Sequence, residues 1–255
     1  MSLTITFLGT GAAFTVGKDN FQSNVLLESN HDSLLIDAGT DLRFSLFALN
    51  RSYRDIRNVY ISHLHSDHIG GLEWLALSTY FDEDYQQKPT LFVSAKIVDE
   101  LWEHSLVGGL STLTYQKPSL STYFDVVTIG NEHSFTWQNI QFRLIQVIHV
   151  YNNYQLVPCY GLLFTHGATR IFYSTDTQYN PYLLQHLDKE VDLIFHDCET
   201  QKNKSGVHAH YNELKQLPAE IKRKMWLYHY NASDLPNAKA DGFLGFVCRG
   251  QSFNF

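Results

Sequence analysis

The stretch that decides the fold is SHLHSDHIGG, residues 62–71. It lies between a predicted strand at 59–62 and a predicted amphipathic helix that begins after His68. In an extended segment, side chains two residues apart point the same way, so His63 and His65 can converge on one cation. Asp67 and His68 turn towards a neighbouring point at the start of the helix. Three His and one Asp within six residues therefore predict a two-metal centre.

The motif resembles the H-x-H-x-D-H signature of the metallo-β-lactamase superfamily. Three further stretches resemble the opening of its ribonuclease Z-like phosphodiesterase branch: LGTGAA at residues 8–13, SNVLLE at residues 23–28 and LIDAGT at residues 35–40. The likeness extends from residue 3 to about residue 248. It implies an α/β fold, a four-layer αββα sandwich of the metallo-β-lactamase type, with residues 1–255 as a single domain.

The resemblance also implies the ligands of two metal sites. His63, His65 and His149 would hold the first ion. Asp67, His68 and His229 would hold the second, with Asp176 as the bridging carboxylate. Imidazole and carboxylate donors without thiolate suit zinc, so we expect two Zn²⁺ per chain, with Mn²⁺ or Fe²⁺ as possible replacements.

Such a centre predicts hydrolysis. Two metal ions about 3.5–4 Å apart would lower the pKa of a shared water molecule, which would then act as the nucleophile. Asp67 and Asp176 could also orient the resulting hydroxide, acting as base as well as ligand.

A leaving alkoxide also needs a proton donor, and His210 is the first candidate. The sequence HYN at 210–212 resembles a ribonuclease Z motif in which a His precedes a capped helix by two residues, with Asn212 as the expected N-cap. HDCE at 196–199 resembles the H-E-A-T motif of the same branch, and we expect Asp197 to orient His210. His208 is the next candidate.

Three more residues are candidate substrate contacts. Lys204 precedes the expected acid and could hold a phosphate, although such Lys residues are commonly solvated. Tyr151 and Asn153 follow His149 and could stack on or hydrogen-bond a base. A polar turn between strands is the alternative for this second pair.

The rest of the chain alternates strand-like and helical patterns. The first helix is predicted at 41–50, and later ones at 95–105, 180–187 and 212–217. Strands are predicted at 3–8, 23–28, 33–37, 91–94, 123–129, 140–148, 159–165, 170–174, 192–196 and 225–228. This order predicts two packed sheets with helices on their outer faces. Residues 108–121 are rich in Gly, Ser and Thr and could form a lid, a subunit contact or a solvated loop.

Composition narrows the class of protein. A chain of 255 residues with 44% hydrophobic residues can bury one substantial core. The net charge of −7 argues against binding of extended nucleic acid, because that binding relies on Lys and Arg. The three Cys form no C-x-x-C pair, and the first segment is unlike a signal peptide, so we expect a cytoplasmic protein. The sequence also lacks an apolar run long enough for a membrane helix, so no membrane span is predicted.

We therefore expect a phosphodiesterase with a small nucleotide substrate. In typical ribonuclease Z the arm that grips tRNA lies between the ligands matched by His149 and Asp176, and residues 150–175 leave no room for it. The chain thus resembles the cyclic-nucleotide phosphodiesterases of the branch, including phage enzymes that destroy nucleotide signals. Members of the branch often dimerise, so a homodimer is expected.

Several alternatives stay open. They are a tRNA 3′-processing endoribonuclease, a non-phosphate hydrolase of the superfamily and an inactive metal-binding scaffold. Diiron oxygen reduction is disfavoured, because such proteins typically carry Glu where this chain has His65 and need a flavin domain.

Overall fold

Two seven-stranded sheets pack face to face in the computed structural model of the chain, which describes residues 2–16, 19–85, 87–231 and 234–255. The first sheet consists of β1 (Thr4–Phe7), β2 (Val25–Ser29), β3 (Asp32–Ile36), β4 (Asn58–Ile61), β5 (Thr90–Ser94), β6 (Asp125–Ile129) and β16 (Ser252–Asn254). Its order is β16-β1-β2-β3-β4-β5-β6. The strands from β3 to β6 run parallel.

The second sheet repeats this plan. It consists of β7 (Ser134–Trp137), β8 (Ile140–Gln146), β11 (Tyr160–His166), β12 (Thr169–Tyr173), β13 (Leu193–Asp197), β14 (Met225–Tyr228) and β15 (Gly245–Phe246). Its order is β15-β14-β13-β12-β11-β8-β7, and the strands from β12 to β15 run parallel. A separate hairpin is formed by β9 (Tyr151–Asn152) and β10 (Gln155–Leu156).

Helices cover the outer face of each sheet. Those of the first half are α1 (Leu42–Ala48), α2 (Ser66–Ile69), α3 (Leu72–Tyr80), α4 (Val98–Glu100), α5 (Val107–Leu110) and α6 (Leu120–Tyr123), with a 3₁₀ turn at Tyr53–Asp55 and a π-helical turn at Leu101–Leu106. Those of the second half are α7 (Pro181–Asp188), α8 (Tyr211–Leu214) and α9 (Ala219–Lys222). The predicted four-layer αββα sandwich is confirmed.

Three apolar clusters hold the layers together. Between the sheets, Phe135 lies 5.0 Å from Phe142 and 5.5 Å from Tyr60, measured between ring centroids. The outer clusters join each sheet to its helices, through residues such as Leu46 on the first face and Leu184 on the second. Burying each such side chain contributes about 1.5–3 kcal/mol to folding.

The structure departs from the sequence prediction mainly in its short elements. The helix predicted at 95–105 is divided into α4, a π-helical turn and α5. Strands β7, β15 and β16 and the β9–β10 hairpin were not predicted. The pairing of Thr4 with Asn254 shows why, because a strand of three residues is held by a distant partner and not by a local pattern.

The segment 108–121 is anchored at both ends. Leu110 and Leu120 are buried in the outer cluster of the first sheet, whereas Tyr115 between them is fully exposed. Its role as a lid or a subunit contact stays a prediction. Across the described ranges, none of the helices combines the length and the apolar character that crossing a bilayer requires.

Strand ends place the functional residues at one edge of the sandwich. In the first sheet, Asp37 follows β3 and His63 lies two residues after β4. In the second sheet, β13 ends at Asp197 and β14 is followed by His229. Parallel strands share the edge at which they end, so these side chains meet across the two sheets.

Candidate metal centre

The first donor group combines three imidazoles and a carboxylate. Ligand atoms of His63, His65, His149 and Asp176 all lie within 4.8 Å of one another. Nδ1 of His65 is 3.1 Å from Nε2 of His63 and 3.1 Å from Nε2 of His149. Three nitrogens that converge in this way form the kind of donor set that binds zinc.

The second donor group contains Asp67, His68, Asp176 and His229, again within 4.8 Å. Nε2 of His68 lies 3.2 Å from Oδ2 of Asp67 and 3.1 Å from Oδ2 of Asp176. Nε2 of His229 lies 3.4 Å from Oδ2 of Asp67 and 3.3 Å from Oδ1 of Asp176. Asp176 is therefore shared by both groups, and the structure brings together all seven residues that the sequence predicted as ligands.

Buried polar atoms without partners show that these groups fit divalent cations. In the part of the chain that the structure describes, Nε2 of His68 and Oδ1 of Asp176 are buried and form no hydrogen bond of good geometry, although Nε2 lies 3.1 Å from Asp176 and Oδ1 lies 3.3 Å from His229. Coordination of a metal ion would satisfy both atoms, and imidazole and carboxylate donors suit divalent ions such as zinc, iron and manganese.

The electrostatics of the cluster also favour cations. Burial lowers the pKa of His63 far below its ordinary value, and the charge of His68 adds to this effect, so His63 is neutral and can bind a metal. Burial opposes the charge on His68, but attraction to Asp176 and Asp67 outweighs it and raises the pKa well above normal. The negative potential that holds this proton would equally hold a metal ion.

Asp37, which the sequence analysis did not single out, orients ligands from both groups. Its Oδ2 accepts hydrogen bonds from Nδ1 of His68 at 2.7 Å and from Oγ of Ser62 at 2.8 Å. Since the Ser62 hydroxyl proton points to Asp37, Oγ accepts from Nδ1 of His63 at 3.0 Å. Both His residues therefore turn Nε2 to the metal sites. The signal available in the sequence was an acidic residue directly after a predicted buried strand.

Three site residues adopt left-handed backbone conformations. The φ angles are 61° at Asp37, 54° at Thr175 and 61° at His229. This region is disfavoured for side chains with a β-carbon, most of all for a β-branched residue such as Thr175. Backbone strain of this kind is concentrated at functional sites, where surrounding contacts hold it.

Asp197 and His208 form a pair beside the two groups. Oδ2 of Asp197 accepts a hydrogen bond from Nδ1 of His208 at 2.7 Å. The His208 ring centre lies 4.9 Å from that of His149 and 4.8 Å from that of His229. Burial lowers the pKa of His208, but the carboxylate of Asp197 outweighs burial, so the net shift is upwards. A raised pKa favours the protonated form of this ring.

The expected pairing of Asp197 with His210 is wrong. Nε2 of His210 donates to the carbonyl oxygen of Gln201 at 2.8 Å, and its Nδ1 accepts from the backbone N–H of Asn212 at 3.2 Å. His210 is therefore itself the N-cap of α8, where Asn212 was expected. Both ring nitrogens are engaged by the backbone, because a cap must face its own helix.

The weaker substrate candidates lie on the surface. Lys204 forms an ion pair of 2.7 Å with Glu213 and is half exposed. Tyr151 is exposed in β9, and Asn153 is exposed in the turn between β9 and β10. This hairpin begins two residues after His149.

Comparison with known proteins identifies relatives over nearly the whole chain. A protein of Paenibacillus harenae described as "Anti-Pycsar protein Apyc1" is 39% identical over 228 residues, which is 89% of each chain. A protein of the same description from Bacillus phage 010DV004 is 32% identical over 262 residues, 99% of this chain and 98% of the phage protein.

Solved structures establish the fold type. The metallo-β-lactamase fold protein YhfI from Bacillus subtilis superposes with a TM-score of 0.75 at 19% identity, covering 100% of both chains. The predicted metallo-β-lactamase fold is thus confirmed. The family model described as Anti-Pycsar protein Apyc1 matches residues 3–253. The chain belongs to the Anti-Pycsar protein Apyc1 family.

Proposed function

We propose that this protein is a two-metal phosphodiesterase whose substrate is a small nucleotide, with cyclic nucleotides as the first choice. The position of the Asp197–His208 pair carries the proposal. Asp197 and His208 form a third donor group with Asp176 and His229, which also belong to the second predicted metal site. A proton donor beside a pair of cations suits hydrolysis of a phosphodiester with an alkoxide leaving group.

The seven clustered ligands would hold two Zn²⁺ ions, with Mn²⁺ or Fe²⁺ as possible replacements. His63, His65 and His149 would hold one ion and Asp67, His68 and His229 the other, and Asp176 belongs to both groups. When bound, the ions would lower the pKa of a water molecule and neutralise charge on the phosphate.

Two residues of the chain, Asp67 and His208, carry out the two proton transfers of the reaction. The oxygen of the attacking water forms a bond to phosphorus, and the bond from phosphorus to a ribose oxygen breaks. Asp67 orients the water and accepts its proton, while the leaving oxygen takes a proton from Nε2 of His208. Nε2 is the donating atom because Nδ1 is engaged by Asp197. We assign this role to His208 instead of His210.

The hairpin supports a small substrate. The residues between His149 and Asp176 are taken up by β9, β10, β11 and β12, in place of an arm that could grip tRNA. Tyr151 and Asn153 of the hairpin are exposed close to ligand His149 and could contact a base. The net charge of −7 also disfavours extended nucleic acid.

A homodimer is part of the proposal. Three aromatic side chains are exposed on or next to α1 and α3: Phe44 at 52%, Phe47 at 79% and Phe81 at 66%. Exposed aromatic side chains of this kind are candidates for contacts between subunits. The cysteines Cys159, Cys198 and Cys248 are free thiols, which suits the proposed cytoplasmic location.

A substrate panel tests the function. The zinc-loaded chain is incubated with cyclic mononucleotides, cyclic dinucleotides and precursor tRNA, and the products are separated by chromatography, with Asp67→Ala as the control. We expect conversion of a cyclic nucleotide to its linear form, absent in the control. Cleavage of tRNA with no turnover of any cyclic nucleotide would support the ribonuclease Z-type alternative. Zinc binding without any hydrolysis would support a scaffold.

A further inference from the structure

The loop formed by residues 201–208 contributes two groups to the proposed active site, the carbonyl oxygen of Val207 and the side chain of His208. Val207 and His208 close the segment 201–208, which leaves the sandwich after β13. The carbonyl oxygen of Val207 accepts a hydrogen bond of 2.8 Å from Nδ1 of His149, so it directs Nε2 of that ligand to the first donor group. His208 is the proton donor of the proposed function. Any displacement of this segment would therefore disturb a ligand and the acid together.

Glu199 fixes the far part of the segment. Its carboxylate is buried, with 5% of the residue exposed, and accepts the backbone N–H of Ser205 with Oε1 at 3.1 Å and Oε2 at 2.9 Å. A buried carboxylate is costly unless its oxygens are satisfied. Here both oxygens share the backbone N–H of Ser205, whereas the neighbouring Lys204 pairs with Glu213.

His210 fixes the start of the same segment. Its Nε2 donates to the carbonyl oxygen of Gln201 while its Nδ1 caps α8, so its tautomer and its position are both set. Glu199 and His210 are joined directly by a backbone bridge. The two side chains therefore clamp opposite ends of a loop whose own side chains at 201–205 are exposed.

We propose, resting on the proposed function, that Glu199 and His210 are positioning residues that hold His208 and His149 in register with the metal sites. Their side chains form hydrogen bonds with the backbone of the loop and of α8. Each acts through the loop: Glu199 through Ser205, and His210 through Gln201. This role explains why Glu199 is buried and why His210 caps α8, since the loop between them carries His208 and the Val207 carbonyl group that orients His149.

Two variants release one end of the loop each. Glu199→Gln keeps the size of the side chain but removes the charge and one acceptor oxygen. His210→Asn keeps an N-cap acceptor for Asn212 but loses the bond to Gln201. Glu220→Gln makes the same chemical change at an exposed position of α9 and serves as the matched control.

The readout is the ratio of two rates. A cyclic nucleotide has a poor leaving group that needs the acid, whereas a nitrophenyl phosphodiester does not. We expect both variants to lose about tenfold in kcat/KM on the cyclic nucleotide and less than about threefold on the nitrophenyl ester. Zinc affinity, measured by competition with a chromophoric chelator, should fall by about tenfold in Glu199→Gln, since His149 loses its orientation.

The outcomes separate this inference from the function itself. Equal losses on both substrates would point to a general loss of structure and would overturn the positioning role. A Glu199→Gln variant with the wild-type rate ratio and wild-type zinc affinity would overturn it as well. If the wild-type chain hydrolysed neither substrate, the proposed function itself would fail.

Discussion

Oδ2 of Asp197 lies 2.7 Å from Nδ1 of His208, and Oδ1 of the same carboxylate lies 3.3 Å from Nδ1 of His229. One fully buried carboxylate thus faces both the proposed proton donor and a proposed metal ligand. Attraction to His208 and His229 outweighs burial and keeps the pKa of Asp197 below its ordinary value. Asp197 is therefore ionised when it contacts these rings.

The two neighbouring His residues should respond differently to the same substitution. His208→Asn removes the proposed acid and should lower kcat on a cyclic nucleotide by ~10²–10⁴. His210→Asn retains the helix cap and should cost only about tenfold. Steady-state kinetics with both variants, after a check that each still binds two zinc ions, decides between them. A larger loss in His210→Asn would return the acid to that residue.

Asp37→Asn should weaken metal binding, although Asp37 is not itself one of the proposed metal ligands. An amide offers a single acceptor oxygen where the N–H and hydroxyl of Ser62 and Nδ1 of His68 all donate. We expect zinc affinity to fall by about 10–100-fold. Chelator competition measures this, with the exposed Asp99→Asn as control. Affinity equal to that of the wild type would show that Asp37 does not orient the ligands.

Asp67→Ala should empty one metal site and leave the fold intact. Asp67 belongs to none of the apolar clusters, so the core stays unchanged. Attraction to His68 and His229 outweighs burial and the repulsion from Asp176, and lowers the pKa of Asp67. We expect one bound zinc in place of two and no detectable hydrolysis. The melting temperature of the metal-free protein should change by less than about 3 °C. An unfolded variant would contradict this reading.

Phe47→Glu should prevent dimer formation. Phe47 is 79% exposed on α1, and a charge buried at a subunit interface is strongly disfavoured. Light scattering should give the dimer mass for the wild type and the monomer mass for the variant. A monomeric wild type would exclude the homodimer at once.

A feature of the site can be predicted from the sequence when the residues that form it are close together in the chain. The spacing of His63, His65, Asp67 and His68 needs only the geometry of a strand end and a helix start, so the motif could be interpreted directly. His149, Asp176 and His229 are far apart in sequence and required the resemblance to a family. The structure then brought all seven together.

Features set by tertiary contacts were out of reach. His208 and His210 are two residues apart, and only the position of the α8 cap decides which of them faces Asp197. Likewise β16 is defined by its pairing with β1 at the other end of the chain. Asp37 stood in the quoted stretch at 35–40, but its role appears only when β3 and β4 lie side by side.

The most direct test of the central claim is a zinc titration of the metal-free wild-type chain, followed by the rate of cyclic-nucleotide hydrolysis. Two donor groups that share Asp176 must both be filled before the proposed reaction can proceed. We predict that turnover stays low after the first equivalent of zinc and reaches its maximum at two per chain. Full activity with a single equivalent, or no turnover at two, would contradict a two-metal phosphodiesterase.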